Sequence, residues 1–133
     1  MKLSYLIDTD WIIHYLNGNS GIVEKIGLLE KEGLAASVIS VAELYEGIYY
    51  STNPAGNEKA LNDFLSGIST LGIEDGVCKV FGKERGRLRQ EKKMIGDFDL
   101  LIASTCLHHR LTLLTNNRRH YEMVDGLNIL SLL

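Results

Sequence analysis

Cysteine is scarce: Cys78 and Cys106 are the only two in 133 residues. That is too few for a disulfide framework or a four-thiolate zinc site, and each falls inside an apolar helical pattern. A reducing, cytoplasmic setting is therefore expected. Proline occurs once, at Pro54, and no repeat, low-complexity tract or linker breaks the chain, so one domain over residues 1–133 is expected. No stretch approaches the roughly 20 apolar residues of a membrane-spanning helix. The apolar opening is cut off at Asp8, too early for the core of an export signal, so neither export nor a membrane role is expected. Excess positive charge is missing too. A net charge of −3 argues against a surface coated for gripping a duplex. Apolar residues, at 45%, and charged residues, at 23%, suffice for an ordinary folded core.

The average conceals an asymmetry. Residues 79–93 hold seven basic side chains, including Arg85, Arg87 and Arg89, against Glu84 and Glu91, which leaves −8 for the remainder. A basic segment beside an acidic remainder is the arrangement expected where one region holds phosphates and another holds metal, although such a run is equally an ion-paired helix face. Residues 3–7 and 111–114 are short apolar runs that read as buried strands, the first ending at Asp8 and the second at Thr115, Asn116 and Asn117. Weaker strand patterns lie at 34–36, 69–73 and 127–130.

Helical spacing covers the segments between. Ile12, Tyr15 and Leu16 share a face over 9–16, and Val41, Leu44, Tyr45 and Ile48 share one over 40–50. A helix opening at Asn53 and Pro54 runs through Leu61, Phe64 and Leu65, a long basic helix covers 74–93, and another covers 97–109 with Leu101, Ile102 and Leu107 as core contacts. Strands alternating with helices imply an α/β fold with a mostly parallel sheet flanked by helices on both faces.

In such sheets ligands collect beyond the carboxyl ends of the strands. Asp8 lies at one such end, where it is either a functional carboxylate or the N-cap of the next helix. Glu43 and Glu46 both fall off the apolar stripe of their helix, and periodicity does not separate them. Asp97 suits a cap and Asp99 the first helical turn, where acids also gain from the helix dipole. Were these acids to converge, two charges ~4 Å apart would repel by ~4 kcal/mol at an effective dielectric of ~20, so the cluster would require a cation or protons. Oxygen ligands without thiolate or imidazole suit Mg²⁺ or Mn²⁺.

Four segments in order carry a resemblance: residues 6–10 (LIDTD), 39–47 (ISVAELYEG), 96–103 (GDFDLLIA), and 114–117 (LTNN) running on to Gly126 and Leu127. Over nearly the whole chain the sequence resembles the PIN-domain ribonucleases, most closely the VapC-type toxins of toxin–antitoxin pairs. The resemblance implies a three-layer PIN-like fold and an Mg²⁺- or Mn²⁺-dependent endoribonuclease acting on single-stranded regions of RNA, with tRNA a candidate. It also implies a cognate antitoxin whose tail enters the groove, and a homodimer. Carried over residue by residue, it makes Asp8, Glu43 and Asp99 the principal metal-site acids, Asp97 an auxiliary, Thr115 a residue orienting the site through its hydroxyl, and Asn117 the occupant of a position that often holds a fourth aspartate. His120 stands where the family often carries an acid. Arg118 and Arg119, with Arg85, Arg87 and Arg89, are the candidates for contacting the RNA backbone.

Two other readings fit parts of the chain. The Asp8-Thr9-Asp10 run resembles the nucleophile motif of haloacid-dehalogenase-type phosphatases, which also need a lysine at a later strand end. A PIN fold without catalysis, binding RNA or antitoxin, is the non-enzymatic alternative, with Asn117 and His120 as its marks. His14, His108, His109 and His120 show no ligand spacing with cysteine and are expected at the surface, His108 and His109 pointing to different sides of a helix. Trp11, Tyr45, Tyr49 and Tyr50 are candidates either for stacking on bases or for burial.

Overall fold

The computed structural model describes residues 2–132. Five short strands, β1 (Tyr5–Ile7), β2 (Leu34–Ser37), β3 (Ser69–Leu71), β4 (Thr112–Leu114) and β5 (Ile129–Leu130), form a wholly parallel sheet in the order β3-β2-β1-β4-β5. Each lies within an expected strand segment or extends it by one residue. Parallel strands need crossovers. Helices α1 (Thr9–Leu16), α2 (Ser20–Leu29), α3 (Val38–Tyr49), α4 (Pro54–Leu65), α5 (Asp75–Gln90) and α6 (Asp97–His109) supply them, with a single turn, α7 (Arg118–Tyr121), before β5.

The two-residue alternation of each strand divides the core. Leu6, Ala35 and Leu113 face one side, where Leu88 of α5 and Leu100, Ile102, Ala103 and Cys106 of α6 cover them. Ile7, Ala36 and Leu114 face the other, beneath Trp11, Ile12, Ile26, Leu44, Ile48 and Leu61. Fully burying one large aliphatic side chain contributes about 1.5–3 kcal/mol, so a three-residue strand is held by its two faces more than by its ladder.

Several expectations change. Helix α2 is not among the expected elements, although Asn19 caps it through a bond from the Ile22 N–H and Ile22, Ile26 and Leu29 form its buried stripe. Helix α6 is buried along Leu100, Ile102, Ala103, Ser104, Thr105 and Cys106, whereas Leu101 and Leu107 are only partly covered. Cys78 is exposed on α5, and Cys106 alone is a core thiol, its pKa pushed well up by burial. Gly33 has φ +92°, and a Cβ there would collide with the backbone carbonyl oxygen of Lys2, so the turn into β2 admits only glycine.

The order of strands reverses direction at β1. Connections from β1 lead through β2 to β3 on one side, and the chain then crosses to β4 and β5 on the other. The crevice beyond the ends of β1 and β4 is the switch point where parallel sheets bind ligands.

Candidate metal centre

Asp8 comes directly after β1 and extends its pairing, donating its N–H to the Leu114 carbonyl at 2.9 Å. It also caps α1, so the two roles considered for it coincide. Its side chain is buried among donors. Oδ1 accepts from the Thr9 N–H at 2.8 Å and from the Tyr121 hydroxyl at 3.1 Å, while Oδ2 accepts from the Thr115 hydroxyl at 2.8 Å. Burial pushes its pKa from 3.8 to about 6, because desolvation outweighs those bonds and the Asp10 charge adds to it.

Around it lies a cavity of about 350 Å³ lined by Asp8, Asp10, Glu43, Asp99, Asn117 and His120, with Thr9 and Ile13 completing the wall. Several elements or their flanks thus deliver side chains to one place. Glu43 is selected over Glu46 by α3, and the Thr9 hydroxyl donates to its Oε1 at 2.7 Å. Asp99 enters from the first turn of α6, its Oδ1 accepting from Tyr121 at 3.2 Å and its Oδ2 lying 3.2 Å from His120 Nδ1. Asn117 lines the cavity, and its N–H donates to the Thr115 hydroxyl oxygen at 3.0 Å, whose own hydrogen has Asp8 Oδ2 at 2.8 Å and Asp10 Oδ1 at 3.2 Å as acceptors.

Other candidates are turned elsewhere. Gly96, not Asp97, is the N-cap of α6; Asp97 is exposed and bound to Arg85, outside the cavity. Arg85 also donates to the Ile95 carbonyl and lies over the Phe81 ring, so it ties α5 to α6. Arg87 is enclosed by Glu84, Glu91 and the Met123 carbonyl. For Arg87 the ion-paired helix face, the other reading of the basic run, is the one found: acids one turn away on either side neutralise the guanidinium. Arg118 donates to the Ile129 carbonyl, whereas Arg119 is exposed beside His120 and Asp99 in an adjoining cavity of about 240 Å³. Arg89 is exposed on α5.

Trp11 is fully buried, its indole N–H donating to Asn116 Oδ1 at 2.9 Å, so it has no face for a base. Tyr45 and Tyr49 stack on one another, and Tyr50 is exposed.

Two residues of the site are not expected from the sequence. Asp10 accepts from the Asn116 N–H at 2.9 Å and lines the cavity; its place two residues after Asp8 was the available signal. Tyr121 had none, being an aromatic in a basic stretch. It is fully buried, and its one hydroxyl hydrogen is shared between Asp8, 113 residues away in sequence, and Asp99, 22 residues away. Burial and those two charges push the phenol pKa up, so it remains a donor.

The donor set fits a hard divalent cation. It offers mainly carboxylate, amide and hydroxyl oxygens, its one imidazole, His120, being set against Asp99, and among the described residues neither lysine nor arginine lines the cavity to neutralise the acids. The acids are not drawn into one tight ligand shell: among the described residues the only acid, His or Cys trio whose donor atoms all lie within 4.8 Å is Glu74, His108 and His109, elsewhere in the fold. Wider spacing suits Mg²⁺, which keeps several waters and takes one or two carboxylates. The lysine that an aspartyl-phosphate enzyme requires is likewise missing from the described lining of this cavity.

Known proteins share both sequence and fold with this chain. The PIN domain family model matches residues 5–126. Ribonuclease VapC2 of Haemophilus influenzae is 31% identical over 127 residues, covering 94% of this chain and 95% of that protein. The tRNA(fMet)-specific endonuclease VapC of Shigella flexneri is 27% identical over 125 residues, with 94% and 95% covered. The crystal structure of VapBC2 from Rickettsia felis, bound to a DNA fragment from their promoter, superposes with a TM-score of 0.92 at 28% identity, covering 98% of this chain and 99% of that one.

Proposed function

This chain belongs to the PIN domain family, and on that premise we propose that it is the toxin of a VapC-type pair, an Mg²⁺- or Mn²⁺-dependent endoribonuclease cutting single-stranded regions of RNA. The observation that carries the reading is the meeting of Asp8, Glu43 and Asp99, from three separate elements, in one cavity at the switch point of the sheet. The tRNA specificity named for the Shigella relative makes a structured RNA of that class the first substrate to try.

In this proposal Asp8 and Asp99 hold the ion, with Asp10 beside them, and Asp97 has no part because it is committed to Arg85. A bound Mg²⁺ or Mn²⁺ supplies charge neutralisation for the phosphodiester and makes water more acidic. Glu43 is fixed through Oε1 by Thr9, which leaves its second oxygen to orient a water for in-line attack and take its proton. The Asn117 amide replaces an acid with a donor that can meet a phosphate oxygen. Arg119, exposed at the rim, contacts the backbone of the RNA, with Arg89 more remote on α5.

The antitoxin partner belongs to the same reading. A groove of about 290 Å³ between α1, α3 and α4, lined by Ile13, Leu16, Leu44 and Ile48, shares Ile13 and Glu43 with the acid cavity. An antitoxin segment laid there would block the acids directly. A homodimer is part of the proposal, with exposed Met94 and Phe98 as its apolar material.

Induced expression of the wild type beside Asp8→Asn tests the function. Growth arrest with EDTA-sensitive RNA cleavage is expected for the first and relief for the second. Equal toxicity from both, or cleavage indifferent to EDTA, refutes it, and the absence of any cleavage leaves the binding-module alternative.

A further inference from the structure

The histidines at the end of α6 do not diverge as adjacent helical residues should. Their rings meet edge to face with centroids 4.7 Å apart, and both turn toward Glu74, the residue that precedes α5. His109 Nε2 lies 2.8 Å and His108 Nε2 3.6 Å from Glu74 Oε1. The donor atoms of the three side chains lie within 4.8 Å of one another.

From these residues we propose a second metal site, for Zn²⁺ or a cation of its class, held by Glu74, His108 and His109.

Four observations support it. Two imidazoles and a carboxylate are a donor set that suits zinc and its neighbours in the transition series and not Mg²⁺. The carboxylate of Glu74 is not engaged in capping, since it makes no bond to the first turn of α5. His109 Nε2 is buried and makes no hydrogen bond, although it lies 2.8 Å from Glu74 Oε1, a contact that is an ion pair only when the imidazole is protonated. A buried nitrogen without a hydrogen bond is destabilising, and a ligated ion removes that cost. Finally, a Cβ on Gly76 would collide with the His108 ring, so this ring occupies space that only glycine leaves open at the start of α5.

The geometry is close to that which the ion needs. Bonds of ~2.0–2.1 Å in a tetrahedron separate neighbouring ligand atoms by ~3.3 Å, so small rotations of the side chains complete the shell. An open cavity of about 330 Å³ alongside, lined by Thr70, Gly72 and Ile73 among others, admits water as a fourth ligand. The site ties the beginning of α5 to the end of α6. It is remote from the acid cavity, since about ten residues of helix, ~15 Å, separate His109 from Asp99.

Calorimetric titration of the full Asp8→Asn chain with Zn²⁺ in excess Mg²⁺, paired with Co²⁺ absorption, tests the site. One Zn²⁺ per chain at low-micromolar affinity or tighter is expected, with the d–d bands of tetrahedral nitrogen ligation. Glu74→Gln and His109→Ala should each weaken it by about 100-fold or more. Gly76→Ala keeps all three ligands and favours the helix, yet should weaken binding by displacing the His108 ring; its unfolding midpoint without metal guards against a folding artefact. No saturable Zn²⁺ binding, binding equal in all variants, or displacement of Zn²⁺ by Mg²⁺ overturns the proposal. Because the readout is not RNA cleavage, none of these results bears on the nuclease reading.

Discussion

Asp8→Asn should lower stability in mild acid and raise it near neutrality. In the folded chain the carboxyl holds its proton up to about pH 6, against 3.8 ordinarily, because burial opposes the charge. A group that binds its proton more tightly when folded adds nothing unfavourable at low pH, and it destabilises progressively as pH rises between those two values. The full penalty above pH 6 is about 3 kcal/mol, taking ~1.4 kcal/mol for each tenfold change in acidity. Asparagine removes it. The amide NH₂ cannot accept as a carboxylate oxygen does, so at least one bond among those from Thr9, Thr115 and Tyr121 is lost, at about 1–2 kcal/mol. Urea unfolding of both chains in EDTA isolates the effect, since every other titrating group is common to the pair. Between about pH 4.5 and about pH 7.5 the difference should move by about 2 kcal/mol in favour of asparagine. Added Mg²⁺ should then stabilise the wild type more than the variant. A difference that stays constant with pH would refute the account of Asp8 as a carboxylate strained by desolvation.

Tyr121→Phe should lower stability by about 1 kcal/mol and weaken Mg²⁺ binding measured by calorimetry, because Asp8 and Asp99 lose their shared donor; unchanged affinity would reduce Tyr121 to a packing residue. Arg119→Glu should weaken RNA binding and flatten its salt dependence, whereas Arg87→Glu should lower the unfolding midpoint and leave RNA affinity unaltered, since Arg87 is engaged by Glu84 and Glu91; filter binding and thermal unfolding separate the two. Gly33→Ala should cost about 2 kcal/mol or more in denaturant unfolding, as a side chain there meets the Lys2 carbonyl at a positive φ.

Much of the architecture was legible because short apolar runs announce the strands, and polar residues at their carboxyl ends announce the site. Asp8 after residues 3–7 and Thr115 after 111–114 were marked in this way, and β1 and β4 are parallel neighbours. Periodicity was less informative where a helix is covered on several sides, as in α6, or where a stripe is short, as in α2. Periodicity did not separate Glu43 from Glu46, because residues three apart share a helix face; the resemblance chose Glu43, and Glu43 is the one that lines the cavity while Glu46 is exposed. Partnerships between side chains were the least visible. Tyr121 as a bridge and the pairing of His108 and His109 with Glu74 depend on contacts that no local pattern encodes.

Of the five strands described, the central one is made before the others, yet one of its flanks stays open until β4 follows. β1 pairs with β4, 107 residues downstream, and Asp8 receives hydrogen bonds from Thr115 and Tyr121. A nascent polypeptide halted before that region would expose its leading aspartate without the hydroxyls that aim it, and without Asp99 if halted earlier. If Asp8 and Asp99 are the cutting centre we propose, connectivity itself defers harmful cleavage: synthesis must pass Tyr121 before the centre exists, which gives a host cell an interval in which a neutralising protein can already be waiting.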